Sequence, residues 1–293
     1  MIITASRFIQ KLKLKNYMLN IKNPMPKYFF KRLSIIILAM TVITFWAEQY
    51  CLNFMDDSSD ESCNVSNVKL QGYLTTYISN EGKDENGIPL WDETSSEDIA
   101  RAVEEAERDD NIKAIILEID SHGGEPVAAE EIANALKKAN KPTIALIRGY
   151  GTSAAYYAAA GADLIFASAS SSIGSIGVTT SYLDNTKKNE KEGLTFNQLS
   201  VGEFKDMFSS DKPLTDEERK LIERDLNILH ENFIKAVAEN RKMDIEKARQ
   251  LADGSSMPGQ MALENNLIDR IGGINEVKEY LKEKIGEEAE ICR

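Results

Sequence analysis

Ser153 heads the segment SAAYYAAAGA and follows Gly149 and Gly151 at close spacing. The alanines favour helix, and their small side chains let backbones approach closely. A serine on the first turn of a buried helix, after a glycine-bearing bend, sits at the positive end of the helix dipole beside unbonded amide N–H groups. A nucleophile with an oxyanion hole needs that geometry. Serine at this position also serves as a plain N-cap, so Ser153 alone supports both readings. The second cluster is Asp120-Ser121-His122-Gly123-Gly124, which ends an apolar strand. Its amides belong at the carboxyl edge of a sheet, where open α/β folds bind ligands. One N–H from this turn and one from Ala154 make the usual pair of donors around a tetrahedral oxyanion. A tight strand-to-helix turn explains the glycines equally well.

A serine nucleophile needs a base, and the chain has two histidines, His122 and His230. His230 falls in the middle of a long amphipathic helix, the pattern of a surface or interface residue. His122 adjoins the oxyanion glycines, on the wrong side of a scissile carbonyl for a base. Lys205 remains, in Val201-Gly202-Glu203-Phe204-Lys205-Asp206-Met207-Phe208. A lysine acts as a base only as the free amine, so this reading asks Phe204 and Met207 to desolvate it. Its alternative is an ordinary loop lysine.

The elements that must position these groups repeat in strand, turn, helix order. A strand is predicted over Val68–Ile78, a polar loop over Ser79–Trp91, and a helix from a Ser95/Ser96 cap to Arg108. Ile112–Ile119 is a nearly continuous apolar strand of the kind buried on both faces, followed by a helix over Pro126–Lys138. Pro142–Ile147 and Asp163–Ala167 are further strands flanking the Ser153 helix, and Ser172–Val178 and Leu194–Val201 are predicted as two more. Helices follow over Thr215–Arg241, with Thr215 and Glu218 as a capping box, over Asp244–Ala252 and over Ile274–Lys284. This is an α/β layered pattern.

Ahead of that domain the chain changes character. Residues 1–32 carry eight basic side chains and no acid, whereas the remaining residues balance to −20. A basic arm before the apolar run Leu33–Ala47, bounded by aromatics from Tyr28 to Tyr50, marks topology rather than nucleic-acid binding. With its flanks the run reaches about 20 residues, enough to span a hydrocarbon core of about 30 Å. No small-x-small cleavage site follows it, which favours an uncleaved signal-anchor over a cleaved signal peptide. Met18 and Met25 are alternative starts that leave this topology unchanged. The expected plan is a cytoplasmic arm (1–32), a transmembrane signal-anchor (33–50), an acidic Ser-rich linker (51–67) and an extracytoplasmic α/β domain (68–293) on the cell membrane. Cys51, Cys63 and Cys292 lie outside the central region; a disulfide is compatible with this compartment without being required. Neither a metal nor a cofactor is expected, nor a nucleic-acid partner.

Taken together, DSHGG, GTSAAYYAAAGADLIFA, SIGSIGV, GEFKDMFS and DGSSMPGQMALENNLIDRIGG, in this order and over residues 68–285, resemble the single-domain SppA-type signal peptide peptidases. These are S49 serine proteases of the ClpP/crotonase-like fold. The resemblance implies a Ser/Lys dyad, with Ser153 as nucleophile, Lys205 as general base and Ser175 orienting the lysine. It matches Gly124 and Ala154 to the oxyanion donors, with Gly123 beside them. It further implies cleaved signal peptides as substrates and a homo-oligomeric ring, an octamer in many members, in which the lysine reaches a neighbouring copy's serine. His122 stands where the family usually has proline, and Ala154-Ala155 where it has Gly-Gly; alanine keeps its N–H, but its methyl narrows the S1 side. Two other classes compete. A crotonase-like acyl-CoA hydratase fits an export signal poorly, and a catalytically weakened ring could serve as a membrane scaffold or peptide-binding adaptor.

Overall fold

The computed structural model describes Met40, residues 63–78 and residues 92–292. The basic arm, the rest of the apolar run, most of the linker and the loop expected at Ser79–Trp91 lie outside the described residues. Among the described residues no helix is long and apolar enough to cross a membrane. The unit Glu61–Arg293 holds every element below.

Along the chain come β1 (Val65–Thr75), β2 (Glu93–Ser95), α1 (Ser96–Arg108), β3 (Ala114–Gly124), α2 (Pro126–Lys138), β4 (Thr143–Thr152), α3 (Ala154–Ala159), β5 (Leu164–Ala167) and β6 (Ser172–Gly174). They continue with α4 (Thr186–Lys191), α5 (Asp216–Asn240), α6 (Ile245–Gln250), β7 (Ser256–Pro258), α7 (Gly259–Glu264), β8 (Arg270–Ile271) and α8 (Ile274–Ile285). The sheet runs β2-β1-β3-β4-β5-β8 with every one of these pairings parallel. β6 pairs with the end of β4 and, antiparallel, with β7.

The apolar runs are continuous because both faces of the central strands are covered. Ile115, Leu117 and Ile119 of β3 join Ile99 and Val103 of α1, Ile132 and Leu136 of α2, and Phe233 and Val237 of α5 on one side. Ala114 and Ile116, one residue out of phase, join Val277 and Leu281 of α8 on the other. The α/β layers expected from the sequence are present. α2 begins at the anticipated proline and ends at Lys138, and α1 is capped by Ser95, whose hydroxyl accepts from Asp98 N–H at 3.1 Å.

Several boundaries differ. β3 does not stop at Ile119 but runs through the Gly-Gly pair, because β1 continues beside it and pairs Tyr73 with Gly123 and Leu74 with Gly124. β6 stops at Gly174 rather than Val178, since Ser175 turns to φ 50. Leu194–Val201 forms no strand: its alternation finds no partner edge, and Leu199 and Val201 are each 98% exposed. β7, α7 and β8 are too short for periodicity to reveal. The open question of the cysteines is answered by a Cys63–Cys292 disulfide with Cα atoms 5.1 Å apart. It joins the start of β1 to the C-terminal tail, where Val65 and Ile291 bridge and Cys292 N–H donates to Val65 O at 2.9 Å.

The capping box of α5 is present and extended. Thr215 Oγ1 accepts from Glu218 N–H at 3.2 Å, and Glu218 accepts from Thr215 N–H at 2.9 Å and from Lys212 Nζ. Glu218 is buried, and the Lys212 hydrogen bond, then that of the Thr215 amide, hold its carboxyl below the usual carboxylate value. A folded-state value below the unfolded one gives stability that is present above the unfolded value and lost as pH falls through the folded one. Glu218→Gln should therefore lower Tm at neutral pH and flatten its decline between about pH 5 and pH 2. A wild-type-like Tm–pH curve for the variant would remove Glu218 from this linkage.

Candidate active site

β4 delivers the chain to Ser153 and α3 carries it away, with a sharp reversal between. Ser153 has φ 53 and ψ −128, a conformation that side-chain-bearing residues rarely adopt. Its N–H donates to Gly174 O of β6 at 2.7 Å, and its carbonyl accepts from Tyr157 N–H at 3.0 Å, so both flanks hold the turn. Ser153 occupies the N-cap position of α3, yet its hydroxyl makes no capping hydrogen bond. The plain N-cap explanation is thereby removed.

β3 brings Gly123 and Gly124 against this turn. A Cβ added at Gly123, whose φ is +115, would lie 2.9 Å from Ser153 Cβ and 3.0 Å from Ala154 N; one added at Gly124 would lie 2.0 Å from Leu74 O. Both positions therefore demand glycine, one for conformation as well as space. The two glycines have different tasks. The Gly123 N–H donates to Ser121 Oγ at 3.1 Å and is already engaged. Gly124 and Ala154 line one cavity with Ser153, so their amides are the pair that can receive an oxyanion.

That cavity holds about 390 Å³ and also takes in Pro126, Glu130, Tyr157, Ser175, Leu229, His230, Phe233 and Asp253. Tyr157 and Phe233 stack with centroids 5.0 Å apart and form an apolar wall. Burial, reinforced by Glu130 and Glu239, pushes the Tyr157 phenol up to about 12, so this wall stays neutral and keeps its proton. Ser175 is a second strained serine, at φ 50; its Oγ donates to Gly254 O at 3.0 Å and its N–H to Ser255 O at 2.9 Å.

The sequence profile of Peptidase family S49 matches residues 135–287, just over half of the chain. The chain belongs to peptidase family S49. It is 32% identical over 172 residues to a putative protease of Methanocaldococcus jannaschii, covering 58% of this chain and 55% of that one. It is 35% identical over 181 residues to a putative signal peptide peptidase SppA of Enterococcus faecium, covering 61% and 53%. The chain thus spans about half the length of the curated relatives it matches. Among solved structures, a membrane-bound stomatin-specific protease in complex with a substrate peptide aligns with TM-score 0.48 at 20% identity, over 74% of this chain and 80% of that one.

The S49 match spans Ser153, Ser175 and Lys205, but these three do not meet within one chain. Ser153 and Ser175 share the cavity; Lys205 lies exposed in the turn Gly202–Phe208, with its N–H donating to Gly202 O at 3.1 Å. Phe204 and Met207 of its own chain do not bury it, contrary to the expected desolvation. His122 is also apart, outside the Ser153 cavity and packed on Tyr150 at 4.0 Å between ring centroids. His230, assigned by its helix pattern to a surface or interface, instead lines the cavity, and its Nε2 is buried without a hydrogen-bond partner. No single-sequence signal separates that inward turn from the outward one, because Leu229 and His230 are adjacent on α5.

The strain at Ser153 has a measurable sign. Ordinarily Gly is less stable than Ala through its unfolded-state entropy, but at φ 53 the order should invert. Ser153→Gly is expected to be more stable than Ser153→Ala by about 1 kcal/mol in denaturant titration, with neither variant active. An Ala variant at least as stable as Gly would show that the turn carries no strain.

Proposed function

We propose that this chain is a serine endopeptidase acting on apolar, membrane-derived peptides such as released signal peptides. The observation that carries this reading is the uncapped hydroxyl of Ser153, held at φ 53 beside the Gly124 and Ala154 amides. Ser153 Oγ attacks the scissile carbonyl carbon while a base takes its proton, and the carbonyl π pair moves to oxygen between the two N–H groups. Collapse breaks the C–N bond, the proton passes to the leaving amine, and an acyl ester remains on Ser153. Water, deprotonated by the same base, then attacks the ester and regenerates the serine. The Tyr157–Phe233 wall favours an apolar side chain in the residue before the cut.

The proposed base is Lys205 of a neighbouring copy in a ring. In support, Lys205 stands outside its own cavity on a segment whose Leu199, Val201 and Phe208 are exposed. Cover by another copy would also supply the desolvation that its own chain does not. One observation favours a second reading, with His230 as an intramolecular base: the residue lines the Ser153 cavity, and its buried Nε2 has no hydrogen-bond partner.

Fluorophosphonate treatment followed by peptide mass spectrometry should place the label on Ser153 alone; an unlabelled, folded protein would favour the non-catalytic scaffold. Lys205→Met should reduce kcat by about 10²-fold or more, and His230→Ala by less than about tenfold. Mixing Ser153→Ala with Lys205→Ala subunits should restore part of the activity. The reverse ranking, without recovery on mixing, transfers the role to His230.

The proposed setting is a cell membrane, with the basic arm cytoplasmic, residues 33–50 spanning, and the peptidase domain outside. The Cys63–Cys292 disulfide supports an oxidising compartment. Protease added to intact spheroplasts should digest the domain. Protection until lysis would reverse the topology.

A further inference from the structure

We propose that Ser121 and Thr152 are positioning residues that together lock the peptide plane preceding the oxyanion donor; the inference rests on the peptidase reading above. The His122–Gly123 peptide is held at both ends by hydroxyls from two different strands. Gly123 N–H donates to Ser121 Oγ at 3.1 Å, and His122 O accepts from Thr152 Oγ1 at 3.1 Å. Ser121 Oγ in turn donates to Gly72 O of β1 at 2.6 Å, so its single proton is committed and its lone pair is turned to Gly123. Both hydroxyls are buried, Ser121 at 2% and Thr152 at 6% exposure.

The β1–β3 ladder leaves Ser121 and His122 without a register partner on β1. The β1–β3 register shifts between Gln71 and Tyr73, and the β3–β4 register shifts between Ile119 and Ser121. The two irregularities fall on successive residues of β3, Asp120 and then Ser121–His122, beside the two hydroxyls. Regular pairing returns with Tyr73–Gly123 and Leu74–Gly124, and Glu125 N–H donates to Leu74 O at 2.8 Å. The His122–Gly123 plane is thus fixed by side chains and the Gly124–Glu125 plane by the ladder. Between them lies the Gly123–Gly124 peptide, which carries the N–H of the cavity-lining Gly124, and the planes on either side restrain its rotation about the glycine φ and ψ angles. Preorganisation of an oxyanion donor requires that such rotation be prevented before substrate arrives. Thr152 also adjoins the nucleophile, so its hydroxyl ties the orientation of the glycine turn to the position of Ser153.

The test is steady-state kinetics of the full chain on an apolar peptide substrate, alongside inhibition by the matching peptide aldehyde. Losing an oxyanion donor costs about 10²–10³ in kcat, so loosening one should cost about 10–100-fold. Ser121→Ala and Thr152→Val should each lower kcat by that factor with KM within about threefold, and should weaken the aldehyde far more than a non-covalent product peptide. Ser121→Thr and Thr152→Ser, which keep the hydroxyls, should recover most of the loss. Because both hydroxyls hold one plane, the double variant should fall short of the product of the single effects. If Ser121→Ala fails to fold, Thr152→Val, which preserves shape, tests the same plane. The proposal is overturned if the wild type turns over and Thr152→Val keeps kcat within about twofold, or if losses track Tm and are not recovered by the hydroxyl-bearing variants. A wild type that neither turns over substrate nor labels at Ser153 overturns the peptidase reading instead.

Discussion

The structure depends on how closely the end of β3 approaches the turn after β4. Gly123 lies so near Ser153 that a single methyl at position 123 would come within 2.9 Å of the serine Cβ. That approach forces glycine on one strand, a strained serine on the other, and a helix of small residues behind it. Ala155, Ala158 and Ala159 are fully buried, and Gly161 sits where a Cβ would come within 2.5 Å of Ala133 Cα of α2. Larger residues here would push α3 away from the sheet and open the distance that brings Ser153, Gly124 and Ala154 to one cavity.

The strain is distributed around the site rather than confined to the nucleophile. Ser153 and Ser175 both take φ near 50, and their N–H groups are tied to Gly174 O at the end of β6 and Ser255 O just before β7, so these two strand ends brace the serines together. Residues held in such conformations persist only where their surroundings over-determine them. Here those surroundings are the parallel sheet below, the β6–β7 pair to one side, and α5, whose Phe233 stacks on Tyr157. Local geometry thus gathers Ser153, Ala154 and Ser175 at one cavity, all three within the segment that the S49 profile matches.

Much of this was legible from residue types. Pro126 and the apolar spacing after it mark α2, Thr215 and Glu218 mark α5, and Ser153 after Gly149 and Gly151 marks the sharp turn into α3. What escaped depends on contacts that one strand cannot announce. Ser121 and Thr152 read as ordinary polar residues near strand ends, and their partners lie 49 and 30 residues away. Leu194–Val201 shows strand-like alternation but lacks an edge to pair with. Lys205 illustrates the deeper limit: its motif names a role, whereas Lys205 itself is absent from the Ser153 cavity of its own chain. Cys63 and Cys292 pair across a separation of 229 residues that spacing alone cannot link.

The central claim is that Ser153 bears the covalent bond while Gly124 and Ala154 receive the oxyanion. A crystal structure of the protein with an apolar peptide aldehyde tests it most directly. The account predicts a hemiacetal on Ser153 Oγ, its oxygen about 2.7–3.1 Å from the N–H nitrogens of both Gly124 and Ala154, with Gly123 N–H still bonded to Ser121. An adduct on another residue, or a hemiacetal oxygen turned to solvent with those two amides unoccupied, would contradict it.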